Sequence, residues 1–340
     1  MRNEKIGRAR VARSARIAHA TLIVGAAVLA TGANGVRAEP AIGQFEIKGL
    51  EAEPGGIELQ SQNAWSFGQP KRRFAEEQPG QFVYDENSVT RQRHALEVEM
   101  SLTHFLRMRV GVEFEKERFE DPASPGLANA FDDLKLTEVA VEGVVILKPL
   151  PEAGGVGFGM LAEFEHPTSG DGLNSIVLGP ILGAKSGRLS ALLNVFFIKH
   201  FGSGELTDEG LARDDKWDFG YAAQLKYDFN SDWALALEGY GTIDRIGNSG
   251  RPAEGAILFG DHDQHRIGPV VYYEWRPDGR GKGPGRSRNS KVADVDDVKS
   301  GGDEKADDDG VLMRVGTGVL FGLNDNTPHT TLKLTLEMEY

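Results

Sequence analysis

The sequence contains no cysteine, which excludes disulfide staples, thiolate nucleophiles and cysteine-based metal sites. It is also short of positive charge: 38 Lys and Arg stand against 51 Asp and Glu, a formal net charge of −13, so a broad basic surface for nucleic acid is excluded. Beyond residue 40 no apolar run approaches the roughly 20 residues that a membrane-spanning helix needs. Any place for the rest of the chain in lipid must therefore be as a closed barrel. A bilayer core offers backbone N–H and C=O groups no partners, and only helices and closed sheets pair all of their own. No nucleophile elbow, phosphate-cradling glycine loop or zinc-protease signature occurs, and glycines, 43 in the whole sequence, recur through the strands and turns. Neither an enzyme activity nor a cofactor is expected. Ser/His/Asp or Asp/His chemistry at a barrel rim stays open as an alternative.

What the chain does have begins with an export signal. The stretch Met1 to His19 carries Arg2, Lys5, Arg8, Arg10, Arg13 and Arg16 against the single acid Glu4, and Ala20 to Ala30 is almost wholly apolar. Val36 and Ala38 then place small residues at the −3 and −1 positions of a peptidase site. Residues 1–38 are read as a signal peptide cleaved before Glu39, and 39–340 as one exported domain.

That domain alternates. Leu96, Val98, Met100 and Leu102 interleave with Glu97, Glu99 and Ser101; past a turn at Thr103-His104, Leu106, Met108, Val110, Val112 and Phe114 interleave with Arg107, Arg109, Gly111 and Glu113. The same hairpin pattern recurs over Phe219 to Phe229, the turn Asn230-Ser231-Asp232, and Trp233 to Tyr240. Further strands are read at Ile57 to Trp65, Leu134 to Leu147, Val156 to His166, Leu173 to Ala184, Arg188 to His200, Gln264 to Arg276, Val311 to Leu323 and Thr330 to Tyr340. Most reach the roughly 9 to 11 residues a tilted membrane strand requires, longer than the 5 to 6 usual in a soluble sandwich. The expected fold is all-β: a single antiparallel transmembrane β-barrel of about twelve strands.

Loop lengths agree with that architecture. Counting upward from Ile57, the short links at Thr103-His104, Ala184 to Gly187 and Asn230 to Asp232 share one side, where both chain ends of an even-stranded barrel also belong. The long connections at Gly68 to Arg91, Arg118 to Asp133, Gly202 to Asp214 and Arg245 to Asp263 share the other. One segment breaks the rule: 277–310 is glycine- and aspartate-rich, has almost no large apolar residue, reads as a disordered loop, and falls on the short-turn side.

The last strand sets Leu332, Leu334, Leu336, Met338 and Tyr340 against Lys333, Thr335, Glu337 and Glu339, and stops on the aromatic. This ending resembles the signal by which barrels are recognised for outer-membrane assembly, with Leu336, Met338 and Tyr340 as its residues and Tyr in place of the usual Phe. The exported start, Phe45-Glu46-Ile47, the run from Tyr227 to Leu235 and the run from Glu163 to Gly170 together resemble the putative outer-membrane transporter group of Gram-negative bacteria named for the meta-pathway of phenol degradation. The resemblance implies an outer-membrane location, the assembly machinery and membrane lipid as partners, and passage of small molecules.

With the apolar phase toward lipid, Glu97, Glu99, Glu113, Glu115, Glu138, Glu142, Glu163, Glu165, Asp218, Glu238, Glu274, Glu337 and Glu339 face inward, against Arg107, Arg109, Lys216, Lys226, Arg266, Arg314 and Lys333. Charge is costly toward lipid at the midplane, so these groups must line a wet lumen or neutralise one another. The acid excess implies a cation preference in any open pore. Asp261, His262, Asp263 and His265 carry metal-ligand chemistry at a strand mouth, yet the spacing secures no third or fourth ligand and no metal is assigned. Three functions stay open: a channel or transporter for small solutes, cationic or aromatic ones among them; a structural or surface-interaction barrel with a plugged lumen; and an outer-membrane enzyme.

Removing Tyr340, or changing it to Asp, should cut the yield of heat-modifiable protein in outer-membrane fractions severalfold, whereas deleting residues 303–309 should leave it near normal. Equal losses from the two variants would remove the terminal aromatic from the assembly signal.

Overall fold

A computed structural model describes residues 46–68, 75–78, 81–83, 88–119, 133–168, 173–202, 217–243, 246, 263–277, 311–324 and 327–340. The described strands are β1 (Ile57–Phe67), β2 (Ala75–Gln78), β3 (Gln81–Val83), β4 (Ser88–Thr103), β5 (Leu106–Phe119), β6 (Lys135–Lys148) and β7 (Gly155–Pro167), followed by β8 (Asn174–Ser186), β9 (Leu189–Phe201), β10 (Trp217–Asp228), β11 (Trp233–Ile243), β12 (Gln264–Trp275), β13 (Leu312–Gly322) and β14 (Thr330–Glu339). The signal peptide, Asp261, His262, Lys216 and all of 277–310 except Pro277 lie outside the described residues.

Twelve of these strands, β1 and β4 through β14, close an antiparallel barrel in which each pairs with its neighbours in sequence. Closure is made by β1 against β14, with Leu59 opposite Met338 and Trp65 opposite Leu332. The short β2–β3 hairpin stands apart in the connection between β1 and β4. The alternation read from Leu96 to Leu102 is part of a strand of 16 residues, so this wall extends well beyond the length a membrane requires. Strand boundaries otherwise follow the period-two pattern closely, because a one-residue slip would move every apolar side chain to the wrong face.

The two faces separate by chemistry. Leu96, Val110, Val141, Phe164, Leu178, Phe197, Leu237 and Leu332 stand exposed on the outer surface, as lipid-facing residues must. The charged inward residues are densest on β4 to β7, while Val177, Ile181, Phe196, Ile198, Ala222, Tyr240, Val270 and Leu320 give β8 to β13 an apolar arc whose buried cluster runs on into Val144, Ile146 and Leu161 of β6 and β7.

Two Gly-Pro pairs shape that apolar arc. Along β8 the pairing with β9 lapses at Gly179-Pro180, and along β12 the pairing with β13 lapses at Gly268-Pro269, although each proline stays in register with the strand on its other side. Proline has no N–H to give, so the ladder is broken on one edge only. At both glycines the opposing backbone takes the place of a side chain: a Cβ at Gly179 would lie 1.6 Å from the Val195 carbonyl oxygen, and one at Gly268 would lie 1.9 Å from that of Val319. Gly179→Ala and Gly268→Ala should each lower the temperature of the gel-mobility shift by ten degrees or more, or prevent assembly. Gly239→Ala, where the nearest atom is 3.6 Å away, should leave that temperature unchanged.

Candidate functional site: the lumen and its strap

The interior is occupied by the chain's own residues ahead of β1. At Gly55, whose φ of 86° suits glycine alone, the chain reverses, and the Gly55 N–H donates to the Ser101 carbonyl at 2.7 Å. Residues 46–52 are thereby turned into the barrel as an extended strap. Its backbone is gripped at two points: the Lys48 N–H donates to Asn194 Oδ1 at 2.7 Å, Asn194 Nδ2 donates back to the Lys48 carbonyl at 3.1 Å, and Arg107 Nη2 donates to the Gly49 carbonyl at 2.9 Å. Its side chains are gripped as well. Lys48 Nζ meets Glu142 at 2.9 Å and also Glu46, while Glu46 meets Arg109 Nη1 at 2.5 Å.

Leu50 is 1% exposed and fills a notch whose floor is glycine. Gly157 and Gly183 face each other across β7 and β8, with Gly159 one step along. A Cβ on any of the three would lie within 3.0 Å of a Leu50 methyl. Leu150, from the turn between β6 and β7, closes the notch within the same buried cluster.

The charged arc is built around Arg109. Its Nη1 meets Glu97 at 2.9 Å and its Nη2 meets Glu142 at 2.7 Å, in addition to Glu46 of the strap. Farther along the same strands Arg93 meets Glu113 at 3.4 Å and Glu115 at 3.1 Å, Arg91 meets Glu115 at 2.6 Å, and Arg107 meets Glu99 at 3.1 Å. Carboxylates nevertheless oppose one another directly in the register: Glu113 stands across from Glu138, and Glu142 across from Glu163. Like charges so placed repel, and the arrangement persists here only beside guanidinium groups.

A second network crosses the opposite side. Glu238 accepts from Lys333 at 2.7 Å, the Tyr240 hydroxyl at 2.6 Å, Gln224 at 2.8 Å and the Tyr272 hydroxyl. Near the β1–β14 closure Arg314 joins Glu337 at 2.6 Å and Glu274 at 3.1 Å. Lys226 sits toward a mouth beside Asp228 at 3.4 Å, and Arg266 donates to Gln264 at 2.5 Å.

The structure assembles one constellation that the sequence pattern did not disclose. Glu165 hydrogen-bonds Ser175, Ser175 Oγ lies 2.9 Å from His200 Nδ1, and His200 Nε2 lies 2.8 Å from Asp218. The four come from β7, β8, β9 and β10, so no local motif could mark them. Ser, His and Asp are the members of a nucleophilic triad, but all three are buried side by side in the wall. An acyl group has no approach to Ser175 Oγ, and the chain acts as a polar clamp across four strands.

The histidine cluster resolves differently. His265 stacks on Tyr221 over Gly241 and takes the Tyr221 hydroxyl at 3.0 Å, on the strand phase opposite to Arg266. Asp263 is buried at the strand entrance, its carbonyl accepting from Asn324 at 2.8 Å. Among the described residues no group of three or more His, Asp or Glu side chains converges as a metal site.

No family model matches the chain, and no curated protein matches its sequence. Among solved structures, an outer membrane channel from Pseudomonas putida F1 is similar at 13% identity and a TM-score of 0.51, over 88% of this chain and 99% of that one. The transport unit of the autotransporter AIDA-I from Escherichia coli follows at 10% identity and a TM-score of 0.46, over 88% and 94% of the two chains. The NanC porin stands at 11% and 0.42, over 83% and 98%. The likeness is of fold, to outer-membrane barrels as a class, and no family model carries it further to the phenol meta-pathway group.

Arg109→Met should strand the carboxylates of Glu97 and Glu142 in the interior at a cost of about 3–5 kcal/mol, lowering the mobility-shift temperature sharply. The pair Arg109→Met with Glu142→Leu should recover part of that loss, since it removes a charge together with its partner. A double variant no more stable than the single one would separate Glu142 from Arg109 energetically.

Proposed function

We propose that this chain is an outer-membrane channel for small solutes, with both chain ends in the periplasm, membrane lipid around its apolar face and the outer-membrane assembly machinery as the partner of its last strand. The observation that carries the reading is the charged arc of β4 to β7. There the carboxylates Glu97, Glu99, Glu113, Glu115, Glu138, Glu142, Glu163 and Glu165 outnumber the guanidinium groups of Arg91, Arg93, Arg107 and Arg109. A barrel needed only as a scaffold gains nothing from surplus carboxyl groups on its inner wall, whereas a solute path gains polar groups to meet its solute.

The strap is the movable part of this interior. Every barrel strand is held along both edges by backbone ladders, but residues 46–52 continue from the turn at Gly55 and are joined to the wall through side-chain contacts. Ordering a residue costs about 1–2 kcal/mol, comparable with what one hydrogen bond returns, so the strap is the first element to yield. With it docked, the channel is narrow; with it released, the charged arc is uncovered.

A structural barrel with a permanently filled lumen is the second reading. It is favoured by the inward-facing Ile181, Ile198, Val270 and Leu320, each 0% exposed. Planar-bilayer recordings decide between the two. The unaltered chain should show small conductance, Glu46→Ser with Lys48→Ser should raise it severalfold, and reversal potentials should favour cations most strongly at low salt. Glu113→Gln with Glu163→Gln should reduce that preference. Silence from both the unaltered and the strap variant would select the filled barrel.

A further inference from the structure

The contacts made by the strap are those of a receptor with a ligand. A segment serving only as filler would be packed by shape, with its backbone polar groups turned to whatever lay nearest. Here Asn194, 0% exposed, spends both halves of its amide on the N–H and C=O of one strap residue, and Arg107 spends an Nη on the next carbonyl. A paired grip on both backbone groups of a single residue reads an extended peptide regardless of its side chains. The side chains are then read in turn. Arg109 takes the carboxylate of Glu46, Glu142 takes the ammonium of Lys48 at 2.9 Å, and the glycine notch takes Leu50.

The notch holds an aliphatic side chain. Gly157 and Gly183 are register partners on adjacent strands, so the missing side chains form one depression. A Cβ at Gly183 would stand 3.0 Å from one Leu50 methyl and 3.2 Å from Leu192, touching only side-chain ends. The space exists because three inward positions carry no side chain, and Leu50 occupies it.

We infer that the strap occupies a peptide-binding site, and that short extended peptides with an acidic residue, a basic residue two positions later and an aliphatic residue two positions after that are a solute class recognised by this lumen. The strap is the site's tethered occupant. Its attachment to β1 through a few residues gives it an effective concentration in the millimolar range, which a free peptide must overcome. The solute assignment rests on the channel reading above; the binding site stands without it.

The test uses a capped, fluorescent peptide of sequence Glu-Ile-Lys-Gly-Leu-Glu-Ala, matching Glu46 to Ala52, and anisotropy in detergent on heat-modifiable barrels. A chain carrying Glu46→Ser, Lys48→Ser and Leu50→Ser should bind the peptide, and the unaltered chain should bind it at least about tenfold more weakly. Adding Asn194→Ala to the strap variant should cost about tenfold by removing two hydrogen bonds. Gly183→Ala should abolish the preference for Leu over Ala at the fifth peptide position without touching the backbone grip, and it can be read in the unaltered chain at high peptide if the strap variant does not assemble. A scrambled peptide binding as tightly as the native order, or a folded strap variant that binds neither, would overturn the site. Conductance without peptide binding would overturn this inference and leave the channel. Peptide binding without conductance would overturn the channel and leave the site. Peptide uptake into proteoliposomes supports a transported solute, whereas binding with conductance but no uptake would assign the site to the tail of a neighbouring protein and end the solute claim.

Discussion

In a bilayer core an unpaired backbone N–H or C=O costs several kcal/mol, and a sheet can avoid that cost only by having no edges. Here the requirement is met by the pairing of β1 with β14, which runs from Phe67 opposite Thr330 to Glu58 opposite Glu339. The last residue is part of the seam: the Tyr340 N–H donates to the Ile57 carbonyl at 2.9 Å, and the Ile57 N–H reaches the Tyr340 carbonyl at 3.4 Å. Closure places the start of β1 and the end of β14 together at one rim. The turn at Gly55 and Gly56, bonded to Ser101 of β4, then directs the preceding residues inward instead of away from the barrel. The strap is in the lumen because the seam is where it is.

The space that the twelve strands enclose holds the strap as well as their own inward side chains. This chain fills it unevenly. On one arc apolar side chains gather in a buried cluster, and at Gly179 and Gly268 on the same strands neighbouring backbone takes the room of a side chain. On the other, carboxylates and guanidinium groups hold each other in a network that includes two residues of the strap. Taking these charges out of water is tolerable only while each has a partner close by, so the network is stable as a set and fragile to single removals. The same fragility makes the strap's Glu46 and Lys48 both a fastening and a point of release.

The two ends of the histidine-bearing strands show how the same residue types can serve unlike ends. His200 lies on the inward phase and ties Ser175 to Asp218. His265 lies on the outward phase, covered by Tyr221. Of the four residues around Asp261 that carry ligand chemistry, the structure describes Asp263 and His265, and the His265 ring is engaged by Tyr221.

The strands, their phase and the inward direction of Glu97, Arg109, Glu113, Glu163 and Arg314 were legible in the sequence, because a period of two residues is a local property and lipid on one side enforces it. The number of barrel strands followed from the same signal, and so did the meeting of the start of β1 and the end of β14 at one rim. The tertiary structure alone decided that residues 46–52 enter the lumen, that Asn194 grips Lys48 across 146 positions of sequence, and that Gly157, Gly159 and Gly183 form one notch. It alone aligned Glu165, Ser175, His200 and Asp218. These contacts join residues whose spacing in sequence carries no period. They exist only after closure has set the register of every strand against the next, and a register is a relation between strands that no single segment can express.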